Sequence, residues 1–113
     1  MNLVMEIEQK SQELSQSIKL LRKNGINLAE CEKNYKMTLT TEALRLKTEG
    51  LAVTLIDKII YGLANVADLR FKRDVAKATY EANLEHIAVI KLQLRLLENQ
   101  LAREYGAAGK GNL

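Results

Sequence analysis

Residues 66–105 read VADLRFKRDVAKATYEANLEHIAVIKLQLRLLENQLAREY and contain neither glycine nor proline. Because glycine and proline are the residues that interrupt helices, this stretch predicts one helix of about 40 residues and roughly 60 Å. An average helix in a globular protein has only about 11–12 residues. We therefore expect the rest of the chain to be arranged around this helix.

The apolar side chains of this helix fall on two nearly opposite sides, at about 100° per residue. One side, the inner stripe, is formed by Tyr80, Ile87, Ile90, Leu94, Leu97, Leu101 and Tyr105. The other, the outer stripe, is the candidate oligomer interface and is formed by Phe71, Ala78, Ala82, Val89, Leu92 and Leu96. We expect the N-terminal half to cover the inner stripe. A second copy of the chain should cover the outer one, so the first predicted partner is the protein itself, as a dimer or larger assembly.

The N-terminal half predicts two helices. The first, over residues 2–23, has one heptad-like apolar stripe formed by Leu3, Ile7, Leu14, Ile18 and Leu21. Asn24-Gly25 is a strong turn signal, and we favour a break there over a continuous, kinked helix. Asn27 can cap a second helix over residues 28–48, which ends before Gly50.

Between residues 50 and 65 the chain is predicted to turn back. Thr54 has the character of an N-cap and predicts a brief helix over residues 55–61, which Gly62 closes. Asn65 can then cap the long helix.

These elements predict an all-α fold. An N-terminal arm of two helices packs antiparallel on one long C-terminal helix, with a short connecting helix between them. Association along the outer stripe would give a helical bundle or coiled-coil-like oligomer. We expect residues 1–105 to form a single helical domain and residues 106–113 to form a flexible tail.

The composition is that of an ordinary helical domain, with 113 residues, 47% hydrophobic, 27% charged and no proline. A net charge of +3 permits nucleic-acid binding without requiring it. Cys31 is the only cysteine, so an intramolecular disulfide cannot form, and the expected location is a reducing cytoplasm. Because no long apolar run occurs, we expect neither a signal peptide nor a membrane span, and no membrane partner.

Enzyme signatures are missing from the sequence. His86 and Cys31 are the only residues of their types and lie on different predicted helices, without the third group that orients a nucleophilic pair. Metal ligands do not occur at metal-binding spacings, and the glycines after Tyr105 lack the context of a phosphate loop. We therefore expect no catalytic residue, no metal and no cofactor.

A basic cluster at the start of the long helix is the most functional-looking feature. The candidate phosphate- or partner-binding residues are Arg70, Lys72, Arg73 and Lys77. Such a cluster can bind phosphate. The competing interpretation, which we weigh more heavily, is that Arg70 and Arg73 pair with Asp68, Asp74 or Glu81 and only make the helix end soluble.

Asn83 interrupts the inner stripe between Tyr80 and Ile87. A polar residue in a helix seam can fix the register of packing. Alternatively, the seam is open to water at this position. The sequence leaves both interpretations open.

Three segments stand together in this order: LRLKTEGLAVTLIDKIIYG at 44–62, VADLRFKRDVAKATYEA at 66–82 and KLQLRLLENQLAREYG at 91–106. In their overall pattern they resemble the small all-helical proteins of unassigned role carried by phages and prophages of Gram-positive bacteria. The resemblance implies the cytoplasm of a bacterial host cell as the location, and it carries no established site residues.

Such proteins are often encoded beside single-strand-binding and strand-annealing functions. The resemblance therefore implies a non-enzymatic accessory factor of DNA recombination or replication, which contacts single-stranded nucleic acid or a recombination protein. A second implied class is a phage anti-defence protein that inhibits a host immune effector or sequesters a nucleotide signal. A third is a structural helical subunit.

Overall fold

A computed structural model describes the backbone of residues 2–111 and the side chains of residues 2–106. The chain forms helix α1 (Leu3–Thr48), helix α2 (Val53–Ile59), a single 3-10 turn (Ile60–Gly62) and helix α3 (Ala64–Gly111). No strand occurs in residues 2–111, and the predicted all-α class is confirmed. The long C-terminal helix is confirmed as well, and it packs on the N-terminal helix.

The chain divides into two compact units. The first unit consists of Met1–Arg22 and Ala82–Leu113, and the second unit is Lys23–Glu81. Helix α3 continues past residue 105 to Gly111, into the predicted tail, whose side chains after Gly106 lie outside the described residues. The assignment of residues 1–105 to a single domain stays a prediction.

The predicted break at Asn24-Gly25 is wrong, because α1 is one continuous helix of 46 residues. Gly25 lies inside it, and the ring of Tyr80 packs closely on this glycine. A Cβ placed on Gly25 would lie 3.4 Å from Cε2 of Tyr80. A Cβ at this position would therefore be in ordinary contact with a ring of α3, and Asn27 lies within the helix instead of capping a new one.

The predicted end of the arm at Gly50 is confirmed. Gly50 has φ +92°, a left-handed conformation that glycine adopts readily. Its N–H donates to the carbonyl of Lys47 at 3.0 Å, and the N–H of Leu51 donates to the carbonyl of Leu46 at 3.2 Å. This pair of hydrogen bonds is a Schellman motif, and Leu51 packs on the core that contains Leu46.

Both predicted caps in the connection are wrong. Helix α2 begins at Val53, after Ala52, without a side-chain cap, and Thr54 lies inside it. Ile56, near the start of α2, is buried. We therefore attribute the starting position of α2 to packing rather than to a side-chain cap. Helix α3 begins at Ala64, so Asn65 lies in its first turn and accepts a hydrogen bond from the N–H of Val66 at 3.0 Å.

The second unit has a continuous apolar core. Its buried members are Tyr35, Leu46, Ile56, Ile60 and Val66. Leu39, Ala43, Leu51, Leu63 and Leu69 surround them. The core brings the end of α1, α2 and the start of α3 together.

In the first unit, the inner stripe of α3 is buried at Ile87 and Ile90, whereas Tyr105 at its end is exposed. Asn83 and Ser17 are both buried, and the side-chain amide of Asn83 donates to the carbonyl of Ser17 at 3.1 Å. The seam is therefore closed to water here, which favours the register-fixing interpretation of Asn83. Among the described residues, no helix combines the length and apolarity that crossing a membrane requires.

Gly25, inside α1, and Gly50, just after its C-terminus, should respond in opposite ways to substitution by alanine. Gly25→Ala should stabilise the protein by up to about 1 kcal/mol, because alanine favours a helix interior and 3.4 Å is an ordinary contact distance. Gly50→Ala should destabilise it by about 1 kcal/mol, because an L-residue is strained at φ +92°.

Thermal or urea unfolding followed by circular dichroism measures both changes. A loss of stability in Gly25→Ala similar to that of Gly50→Ala would contradict the continuous helix, since it would mean that residue 25 also needs a left-handed backbone.

Candidate binding surfaces

The basic cluster does not form one patch. At about 100° per residue, Arg70, Arg73 and Lys77 lie on one side of α3, whereas Lys72 points to a different side. Arg70, Lys72 and Lys77 are exposed, and Arg73 is half-buried. The structure therefore separates the four residues that the sequence groups together.

Arg73 is held by contacts within the second unit. Its guanidinium carbon lies 4.6 Å from the ring centroid of Tyr35, a cation–π arrangement that ties α3 to α1. Its Nη2 lies 2.9 Å from Oδ1 of Asp74, and its Nε lies 3.7 Å from Oε2 of Glu32. The hydrogen bond with Asp74 raises the pKa of Arg73 above its ordinary value. These contacts give Arg73 a packing role.

Arg70 is more accessible to a binding partner than Arg73. Its guanidinium carbon lies 5.4 Å from the ring centroid of Tyr61, which is itself half-exposed. Stacking on an aromatic ring restricts the side chain without neutralising its charge. Arg70 and the exposed Lys77 therefore present positive charge on one side of α3.

Glu42 of α1 joins the first turn of α3. Its Oε1 accepts a hydrogen bond from the side-chain amide of Asn65 at 2.8 Å, and its Oε2 lies 2.7 Å from Nε of Arg45. Nη1 of Arg45 lies 2.8 Å from Oε1 of Glu49. The hydrogen bond from Asn65, followed by that from Arg45, lowers the pKa of Glu42 below its ordinary value.

Sequence reasoning missed this network, although a signal was present. Glu42 is the one acid on the otherwise mainly apolar side of residues 28–48, and a carboxylate in that position needs polar partners. Its partner Asn65 is 23 positions away in the chain, so the sequence does not indicate which group it contacts.

The outer stripe of α3 is exposed along its whole length. Its large members Phe71, Val89, Leu92 and Leu96 are between 46% and 68% exposed, and Ala78 and Ala82 are exposed too. Val75, which the sequence analysis did not include, also belongs to this face and is 48% exposed. Its signal was its position four residues after Phe71 and seven before Ala82.

Residues that could bind a metal ion do not form a cluster in the described part of the chain. No group of three or more His, Cys, Asp or Glu side chains that could hold a metal ion occurs there. His86 lies in the first unit with its Nε2 3.4 Å from Oε1 of Glu13, whereas Cys31 is a half-buried free cysteine of the second unit.

A comparison with protein-family models, curated proteins and solved structures finds no match for this chain. The resemblance to small phage proteins therefore stays a prediction, and function is inferred from the surfaces described above.

The lowered pKa of Glu42 predicts a pH-dependent contribution to stability. Ionised Glu42 stabilises the fold above its ordinary pKa of 4.5, and this contribution disappears as the pH falls through the lower folded-state value. Glu42→Gln should therefore lower the unfolding midpoint at pH 7, and the difference from the wild type should close under strongly acid conditions.

Unfolding midpoints of both proteins, measured by circular dichroism across the acid range, test this expectation. Glu49→Gln is the matched control, because it removes a carboxylate that contacts Arg45 without touching Asn65, and its effect at pH 7 should be smaller. An equal difference between Glu42→Gln and the wild type at every pH would contradict the assignment.

Proposed function

We propose that the chain is a non-enzymatic binding protein of phage type. It acts as a self-associating helical accessory factor of DNA recombination or replication, and it contacts nucleic acid or a nucleic-acid-handling protein. The observation that carries the proposal is the exposed outer stripe of α3, because helix-to-helix association is what such a surface supports best.

The energetic argument rests on the apolar area of the stripe. Full burial of one large aliphatic or aromatic side chain contributes about 1.5–3 kcal/mol. Phe71, Val75, Val89, Leu92 and Leu96 are each about half-exposed or more, so covering them supplies several kcal/mol toward association.

Charge substitutions in the stripe test self-association. Val89→Glu and Leu96→Glu should each weaken it by about 100-fold, because each removes an apolar contact from both copies and places a charge in the seam. Sedimentation velocity over a range of protein concentrations measures the change.

Leu84→Glu is the matched control, because Leu84 is an exposed residue of α3 that lies outside the outer stripe. It should associate like the wild type, with an unchanged helical circular dichroism spectrum in all three variants. A wild type that keeps the mass of one chain at every concentration would refute the proposal.

Nucleic-acid contact is supported by the exposed cations at the start of α3. Arg70 and Lys77 share one side of the helix, and Lys72 adds a further exposed charge. Self-association would place such groups on every copy, so that weak phosphate contacts add along a single strand. Arg73 is left out of this surface because its contacts lie within the fold.

The double variant Arg70→Glu/Lys77→Glu should bind single-stranded DNA more weakly than the wild type. Each lost phosphate contact should reduce the slope of log K against log salt by about 0.7. Fluorescence anisotropy with a labelled oligonucleotide at several salt concentrations gives both quantities. Lys19→Glu/Arg22→Glu on α1 is the control with the same change in net charge. Equal losses in both double variants, or no binding by the wild type at low salt, would contradict the assignment.

A further inference from the structure

A groove, here called the connection groove, lies in the second unit between the end of α1 and the segment that follows it. Its volume is about 420 Å³, within the range of about 300–1,000 Å³ that is typical of small-molecule sites. Its floor is apolar and consists of Leu39, Ala43, Ile56 and Ile60. Since every lining residue lies between positions 39 and 61, the groove belongs to the second unit alone.

The walls of the connection groove carry apolar surface that is open to water. Leu44 and Lys47 lie three residues apart on one side of α1, and Val53 and Asp57 lie four apart on α2. Leu44 is 61% exposed and Val53 is 62% exposed. A flat ligand with apolar faces can cover both side chains at once.

Two charged side chains of opposite sign line the same groove. Among the side chains that the structure describes, neither Lys47 nor Asp57 has a hydrogen-bond or ion-pair partner. The ammonium group only donates hydrogen bonds, and the carboxylate only accepts them. A ligand with an acceptor and a donor on one edge satisfies both groups. An apolar side chain of a peptide would instead shield both charges from water without providing partners.

An aromatic ring joins the groove to an exposed cation. Tyr61 lines the groove and is 47% exposed. The guanidinium carbon of Arg70 lies 5.4 Å from the centroid of this ring. Aromatic side chains stack on nucleobases, and arginine binds phosphate. The groove therefore combines surfaces for a base with a cation for the phosphate attached to it.

We infer, building on the proposed contact with nucleic acid, that the connection groove binds one nucleoside phosphate whose base carries an exocyclic amino group. The base lies between the apolar walls, beside Tyr61. Its amino group donates to Asp57, and an acceptor on the same edge receives a hydrogen bond from Lys47. Arg70 binds the phosphate. Adenine, cytosine and guanine carry such an amino group, whereas thymine does not.

The affinities for oligo(dC) and oligo(dT) test the recognition of the amino group, because the two bases have rings of the same size. The wild type should bind oligo(dC) about tenfold more tightly in fluorescence anisotropy. Asp57→Ala should weaken oligo(dC) binding and remove this preference, although the loss of an acid otherwise strengthens binding to phosphate. Asp68→Ala is the control, since it removes an exposed acid outside the groove and should keep the preference.

Two further variants test the other walls of the groove. Tyr61→Leu should weaken oligo(dC) binding about tenfold, and Lys47→Gln should weaken it about fivefold. Tyr105→Leu is the control for the loss of an exposed aromatic ring, and Lys58→Gln is the control for the loss of an exposed cation. Neither control residue lines the groove, so both controls should bind within about twofold of the wild type.

Methyl NMR locates the ligand and identifies its source. Oligo(dC) should shift the methyl signals of Leu44, Val53 and Ile56, whereas those of Leu84 should stay in place. Cytidine monophosphate is the second probe. If it shifts the same signals with an affinity equal to that of oligo(dC), a free nucleotide is the ligand of this groove, and a weaker affinity identifies the strand.

Different results overturn this inference and the proposed function. Bound oligo(dC) without shifts at the groove, or with an affinity equal to that of oligo(dT), overturns the inference while the contact at Arg70 and Lys77 stands. The groove would then be left to an apolar segment of a protein partner. A strand that fails to bind at low salt overturns the proposed nucleic-acid contact. If cytidine monophosphate also fails to shift the groove signals, the inference falls with it.

Discussion

The structure depends on one constraint: α3 carries apolar side chains on two opposite sides, and α1 packs on only one of them. The inner stripe is buried against α1, with Ile90 fully excluded from solvent in the first unit. The outer stripe faces water. Since a narrow helical core made mainly of aliphatic side chains buries little surface for its length, the proposed self-association would add stability by covering the second side.

Polar contacts select the register within each unit. In the first unit, the buried amide of Asn83 is bonded to the backbone of Ser17. In the second unit, Arg73 stacks on Tyr35, and Asn65 is bonded to Glu42. Apolar stripes alone allow neighbouring registers of similar energy, whereas a misplaced buried amide would lose its hydrogen bond. These contacts connect α1 with α3 and hold the inner stripe in place.

The sequence was sufficient for features that depend on local chemistry. The absence of glycine and proline over residues 66–105 predicted the long helix, and Gly50 predicted the end of the arm. The two apolar stripes of α3 could also be predicted, because helical periodicity is a property of a single segment. Gly25 was misread because its place inside α1 depends on packing against α3, which includes the contact with Tyr80 far away in the chain. The caps at Thr54 and Asn65 failed for a related reason, since tertiary contacts determined where those helices begin.

The candidate binding surfaces, too, could be predicted from the sequence only in part. The sequence grouped Arg70, Lys72, Arg73 and Lys77 because they are close along the chain. Helical periodicity alone could have separated Lys72 from the other three, whereas the contacts of Arg73 with α1 follow only from packing. Conversely, Val75 could have been added to the outer stripe from spacing alone.

Solvent exposure of the outer-stripe methyl groups tests the central claim most directly. Relaxation of methyl NMR signals by a soluble paramagnetic probe reports which groups water reaches. At high protein concentration, the methyl groups of Val89, Leu92 and Leu96 should be shielded like those of Ile87, whereas those of Leu84 stay accessible. If all three relax as strongly as Leu84 at every concentration, the outer stripe has no cover and the account is wrong.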